Sequence, residues 1–433
     1  MWPHQSFKSS MNPISRVVLS AVLGALLAQG ARAALVVPGA DGTDGALNIT
    51  SDTVIDLSQA VTASWDTGNS ANSGRGVYDA QKWAVVFKYT DVNIAAGATV
   101  RFKNHASRAP VVWLVSGNVT IDGNLVLTGE NWRPAPQLSE PGPGGFRGGR
   151  AASFYGAGQQ SSGFGPGGGA DFTQYDGYAY EGSGSYATRG TRGSDPYGNP
   201  SLLPLIGGSG GAGHWGGSYG GAAGGGAILI AVQNQLTLRG FINADGGTGA
   251  GGTTGGHGSG GGVRLIAARL SGSGSGIRAA AFGDAQSKGG DGRIRVERVA
   301  NDATFSVAPD PSVIDLQENA TAILWPPTGA PEVRVLSVGG VNTPADPRAE
   351  FGTFGPDIAL PQVSQTQVLV ETRYVEQASQ VKVRVTPRSN GNFTEVAATV
   401  DSVVTTDPLV IRWRADLPVN IGYSAVQVKV VRP

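Results

Sequence analysis

Short alternating runs fill the chain from Leu35 to Thr128. Ala46-Leu-Asn-Ile-Thr-Ser51 leads to Val54-Ile-Asp-Leu57, and Trp83-Ala-Val-Val-Phe87 leads to Val92-Asn-Ile-Ala95. Thr99-Val-Arg-Phe102, Val111-Val-Trp-Leu-Val115, Val119-Thr-Ile-Asp122 and Leu125-Val-Leu-Thr128 follow. Each run is rich in β-branched and aromatic residues and is bounded by Gly, Asn, Asp or Ser. That is the chemistry of strands and turns. No window carries a capped helical stripe, so helix should be scarce.

An internal echo suggests how the strands stack. Ser116-Gly-Asn-Val-Thr-Ile-Asp-Gly-Asn-Leu-Val-Leu-Thr-Gly129 holds two strands around an Asp-Gly-Asn corner. A similar phrase returns from Ala227 to Gly246, again from Gly262 to Ala279, and in shorter form at Gly292-Arg-Ile-Arg-Val-Glu297. Units too small to bury a core of their own must stack. The pattern therefore predicts an all-β chain whose first part is a right-handed parallel β-helix, a solenoid of coils with Val, Ile and Leu inside. The coils should span residues 34–302, with a glycine-rich insert at about 130–225. From residue 303 the texture changes. Glu332-Val-Arg-Val-Leu-Ser-Val338, Gln380-Val-Lys-Val-Arg-Val-Thr386 and Leu409-Val-Ile-Arg-Trp-Arg414 alternate with period two. One dry and one wet face per strand predicts an immunoglobulin-like β-sandwich over 303–433, with Trp413 in its core.

Composition sharpens this picture. The chain has 433 residues, 68 of them glycine, and no cysteine. Disulfides and thiolate sites are excluded. The 32 basic and 32 acidic residues balance, so no broad basic field exists to hold nucleic acid. Most glycines fall between Gly142 and Gly292. The interleaved aromatics of that stretch argue for a compact lobe in which backbones approach closely. Gly246 to Gly262, nearly all Gly and Thr, reads as a surface loop.

Residues 1–33 have the form of a cleaved export signal: Lys8 and Arg16, an apolar run from Val17 to Ala28, then Ala31-Arg-Ala33. Cleavage is expected at Ala33/Ala34. The apolar run is too short to span a bilayer, and no later one does, so no membrane span is expected after signal removal. The localisation implied is secreted or cell envelope.

Gly117-Asn-Val-Thr-Ile-Asp-Gly123, Pro143-Gly-Gly-Phe-Arg-Gly-Gly149, Gly224-Gly-Gly-Ala-Ile-Leu-Ile230 and Gly292-Arg-Ile-Arg-Val-Glu297 together resemble a group of secreted bacterial glycine-rich proteins related to the right-handed parallel β-helix class. The likeness covers about residues 85–300, and the tail from about Ile323 resembles their C-terminal module. It implies fold and export. It implies no activity and no site residue.

Candidate chemistry is sparse. Gly256-His257-Gly258 is similar to a motif of β-helix polygalacturonases, with Asn243-Ala-Asp245 and Arg293-Ile-Arg295 as partial companions. On the alternative of a carbohydrate-active hydrolase or lyase, Asp245, His257 and Arg293 would be catalytic. The acid–base carboxylate pair that inverting hydrolysis needs is missing from the motif, and His257 reads as a residue of a solvated loop. Asp41 and Asp44, or Asp284 and Asp291, are the nearest candidates for Ca²⁺, but all sit in turn sequence where Asp is expected anyway. Tyr175, Tyr178, Tyr180, Trp215 and Tyr219 lie close together in sequence among glycines and could stack on sugar rings. The balance favours a non-catalytic structural or adhesive protein at the surface or in the matrix, with extracellular polysaccharide as the expected partner.

Overall fold

The computed structural model describes residues 34–67, 72, 74–152, 160–170, 173–175, 178–214, 219–250, 256–274, 276–283, 287–348, 355–361, 363–389 and 391–433. The export signal read over residues 1–33 lies outside them. The described chain is all-β. It holds no α-helix, and its one helical element is the 3₁₀ turn Leu57–Gln59. No helix among the described residues is long and apolar enough to cross a membrane.

The alternating runs pair in parallel and in register. Val85 faces Val111, Val111 faces Ile228, Ile228 faces Val263, and Val263 faces Ile294. A parallel row runs Phe87, Trp113, Ile230, Leu265 and Val296. On a second sheet Val100, Leu125, Ile242, Ile277 and Val307 align in the same way. These inward rows are one continuous core. Residues of like shape stack rung on rung, so each strand buries what it could not bury alone. The chain meets the same ladders in sequence order, apart from the long excursion between Val126 and Ala227.

The outer face of the first sheet is also dry. Val112, Leu114, Leu229 and Ile266 pack under Leu35, Val37, Ala322 and Leu324. Val36 pairs with Thr321 at this cover. Two charged residues are trapped beneath it, Arg264 and Glu297.

The glycine-rich stretches are ordered where they are described, and they are buried. Their backbone bonds follow a period of three. From Gly220 onward, the N–H groups of Gly220, Ala223 and Gly226 donate to Arg133, Glu130 and Leu127. Those of Gly221, Gly224 and Ala227 donate to Gly149, Phe146 and Pro143. Those of Ala222 and Gly225 donate to Gly256 and Ser259. One strand thus serves three neighbours in rotation, as a three-residue-per-turn extended chain of the polyproline II kind presents its groups. Side chains are excluded by geometry: a Cβ on Gly221 would collide with the Gly211 carbonyl, and one on Gly224 with that of Gly208. This lattice satisfies backbone groups that would otherwise be buried without partners. It also corrects part of the surface-loop expectation for Gly246 to Gly262, of which residues 251–255 lie outside the described residues. Gly256 to Gly262 are buried lattice members, and Gly258 and Gly261 donate to Gly247 and Ala244.

The composition change near residue 300 precedes the change of architecture. Ser306–Ala308 and Ser312–Asp315 still pair in parallel with the strands before them. After Asp315 the pairing turns antiparallel, starting with the strand Glu332–Val338. A five-stranded sheet and the three-stranded sheet of Thr394–Ala397, Gln380–Pro387 and Ser424–Val431 share one core. Trp413 is buried in it, and its Nε1–H donates to Thr372 Oγ1 at 2.8 Å.

Candidate functional site

The motif residues are placed for structure. Asp245 is 1% exposed. Its Oδ1 accepts from the Ala280 N–H at 2.7 Å, and Arg278 lies 3.2 Å from Oδ2. Desolvation raises its pKa, against the pull of these partners. His257 is equally buried, which corrects the solvated-loop expectation. Its Nδ1 accepts from the Gly249 N–H at 3.2 Å, and its backbone N–H donates to Ser183 Oγ. Arg293 donates to the Tyr197 carbonyl at 2.9 Å and lies over the Tyr186 ring. The three therefore engage different partners within the packed lattice. Asp245 Oδ1 and His257 Nδ1 both accept from backbone N–H groups, and both residues are buried rather than open to solvent.

The calcium candidates are likewise occupied. Asp41 accepts from the Lys88 ammonium at 3.0 Å and from Thr43. Asp44 accepts from the Lys88 backbone N–H at 2.6 Å. A cation is already built into this turn. Asp284 lies outside the described residues, and Asp291 is 3.4 Å from Lys288. Among the described residues no three His, Asp or Glu side chains gather to hold a metal.

Of the aromatic candidates, Trp215 lies outside the described residues. Tyr175 and Tyr178 face each other in a hairpin of Thr173–Tyr175 and Tyr178–Tyr180, whose side chains lie outside the described set. Tyr219 is exposed and meets Trp132 edge to face, with ring centroids 4.9 Å apart. Tyr186, by contrast, is core: its hydroxyl donates to the Ile206 carbonyl and its ring packs on Tyr197.

The structure adds a site that the motifs did not indicate. A groove of about 580 Å³ opens between the strand Thr99–Lys103, the chain after Val126, and the segment Glu140–Pro143. Such a volume is ordinary for a small-ligand site. Hydrogen bonds to main-chain carbonyls fix its walls. The Glu130 N–H donates to the Glu140 carbonyl at 2.9 Å, and Asn104 Nδ2 donates to Pro141 O at 2.8 Å. Arg108 holds a left-handed backbone, φ 54°, which is uncommon outside glycine, while its carbonyl accepts from Gly144.

Charges are ordered in pairs around the groove. Glu130 is clasped by Arg133 through both oxygens, at 2.7 and 3.1 Å. Burial pushes its carboxyl up, but Arg133 and the Glu140 N–H outweigh this and hold it below its ordinary value. Glu140 is bound by Arg108 at 3.1 Å and by Arg147 at 2.7 Å. Arg101 is the loosest member, with a side chain 56% exposed and its nearest carboxylate, Asp52, at 3.9 Å. Lys103 reaches Asp56 at 2.8 Å, also in the open. The sequence signal for these cations is slight. They occupy the polar positions of an alternating strand, where a solvated role is the ordinary expectation.

Comparison with family models, with curated proteins and with solved structures gives no match to this chain.

Proposed function

We propose that this chain is an exported, non-catalytic structural or adhesive protein of the cell surface or matrix, belonging with the secreted glycine-rich proteins it resembles. In this reading the parallel rows up to Asp315 are the coils of a parallel β-helix. It is right-handed because crossovers between parallel strands are right-handed in about 98% of cases. The sheets after Glu332 form an immunoglobulin-like terminal module.

One observation carries the reading: the glycine lattice. Its backbone groups bond to one another with period three, and its glycines leave no room for side chains. Such a body is stiff and offers little that moves. Its residues of catalytic type, Asp245 and His257, are buried pins. Rigidity of this kind suits display and load-bearing.

A carbohydrate-active β-helix enzyme is the second reading, favoured by the two carboxylates at the groove. Hydrolysis with a general acid needs one carboxyl kept protonated. Glu130 is held the other way, toward its ionised form. Both carboxylates are engaged by guanidinium groups, an arrangement that favours binding.

The test has two arms. The chain expressed with its natural start should be recovered from the envelope or medium with Ala34 as first residue. The purified chain should be retained on some members of a panel of insoluble polysaccharides, without releasing reducing ends or unsaturated products, with or without Ca²⁺. Catalytic turnover on any member would overturn the reading, and so would retention in the cytoplasm.

A further inference from the structure

We infer that the groove beside Arg101, Lys103 and Glu130 is a binding site for an acidic oligosaccharide, one that carries carboxylates on its sugar rings. The inference rests on the adhesive reading and gives it a ligand class.

The wall chemistry is mixed, and the mixture selects. Arg101 and Lys103 are exposed cations at its rim. Exposed ion pairs contribute little, so a ligand carboxylate can replace Asp52 or Asp56 at small cost. Glu130 and Glu140 lie in the same wall, each already committed to guanidinium partners. A plain inorganic anion would meet the cations but bring no hydroxyl donors to those two carboxylates. A ligand with both a negative charge and several hydroxyl donors would use both halves: its carboxylate on Arg101 and Lys103, its hydroxyls on Glu130, Glu140 and Thr128. Sugar acids have that pattern. Nucleic acid fits less well, because the whole chain carries no net charge.

The experiment compares a mannuronate trisaccharide with mannotriose, which differs only in carrying hydroxymethyl groups for carboxylates. Calorimetric titration of the full chain should show the uronate binding at least about threefold tighter, since two exposed cations each add a modest, solvent-screened pairing. The preference should shrink as salt rises. The double substitution Arg101→Gln with Lys103→Gln, at exposed positions, should abolish the preference and leave circular dichroism and melting unchanged. Equal binding of the two sugars, an undiminished preference in the double variant, displacement of the uronate by equimolar phosphate, or no uronate binding would each overturn the inference. Retention of the double variant on whole polysaccharide would then show the adhesive reading surviving without this site.

Discussion

Arg384, in the three-stranded sheet near the C-terminus, donates through Nη1 to the carbonyl oxygen of Gly165 in the glycine lattice, at 3.3 Å. The same guanidinium reaches Ser194 Oγ at 2.8 Å and Glu395 Oε2 at 3.0 Å, and lies over the Phe393 ring. Around it the Gly391 N–H donates to Gln160 O, and Ser162 Oγ bonds Asn392 Oδ1 at 2.9 Å. A lattice built from backbone offers mostly carbonyls and amides at its surface. A buried multi-donor side chain is a fitting connector to it.

Replacing Arg384 by Ala should therefore loosen the union of the two parts as well as the sheet. It leaves Glu395 short of its buried partner, and breaking a buried pair costs about 3–5 kcal/mol. Lys382 and Lys429, at 3.6 and 3.5 Å, should moderate the loss toward the lower figure. Hydrogen exchange should accelerate in Gln380–Pro387 and around Gly165. It should stay slow in Ala227–Leu238, which belongs to the other core. Uniform acceleration across the chain would contradict the connector role.

Gly221→Ala and Gly97→Ala should separate two uses of glycine. At Gly221 an added Cβ meets the Gly211 carbonyl, with backbone on the facing side. The lattice has no flexible side chain there to yield. The cost should exceed the ~1–3 kcal/mol usual for overpacking. At Gly97, φ is +82° and nothing lies within 4 Å of the added atom. Only the left-handed conformation is penalised, by about 1–2 kcal/mol. Urea denaturation of both variants should rank them in that order, and the reverse ranking would remove the steric account of the lattice.

These two glycines also mark where the sequence was readable. The strands around Val111 and Val119 were plain from alternation, and the echo at Ala227 announced that a later segment would join them. Both are side-chain patterns. The lattice has no such pattern, because its period of three lies in the backbone bonds of residues that carry no side chain. Local rules treat Gly as punctuation, so Gly256 to Gly262 read as a loop. His257 went astray with it. The groove was hidden for another reason: Glu130 and Glu140 are brought together with Arg101 and Arg108 only by stacking. Trp413 was legible because alternation assigns a face without knowledge of the partner sheet.

The Arg264–Glu297 pair offers a cleaner energetic test. Both side chains lie beneath the outer cover of the first sheet, with Arg264 Nε donating to Glu297 Oε1 at 2.8 Å. Arg264 also donates to the Ile323 carbonyl at 2.7 Å, tying the cover down. Arg295 shares the same carboxylate oxygen. Glu297→Ala should cost about 3–5 kcal/mol by leaving a buried guanidinium unpaired. The double variant Arg264→Met, Glu297→Leu should recover most of that loss, because apolar residues of similar size need no desolvation. Denaturation midpoints of the single and double variants decide it, and a double variant as weak as the single would show the pair to be more than tolerated.

The last expectation concerns pH. His105 is buried, stacks on Tyr78 at 4.0 Å, and its Nδ1 lies 2.8 Å from Ser107 Oγ. Desolvation lowers its pKa, Arg348 lowers it further, and Asp346 opposes both without reversing the direction. His214 is lowered by desolvation as well, with Glu181 3.7 Å away not outweighing burial. A histidine whose folded pKa lies below its unfolded value of about 6.5 stays neutral in the fold while the unfolded chain takes up the proton. Its contribution is therefore complete above about pH 6.5 and declines as the pH falls toward the folded value. The slope is at most ~1.4 kcal/mol per pH unit for each histidine. Glu130 and Glu395 follow at lower pH. Their folded pKa values are depressed, so their contribution holds above about 4.5 and is lost as the pH falls through the folded values. Unfolding free energy should thus begin to drop just below neutrality, well before the carboxylates titrate. His105→Gln should make that first decline shallower, leaving the share of His214, and leave the second in place. Stability that stays level from pH 7 to 5.5 in the unaltered chain would show that His105 is not held neutral in the fold.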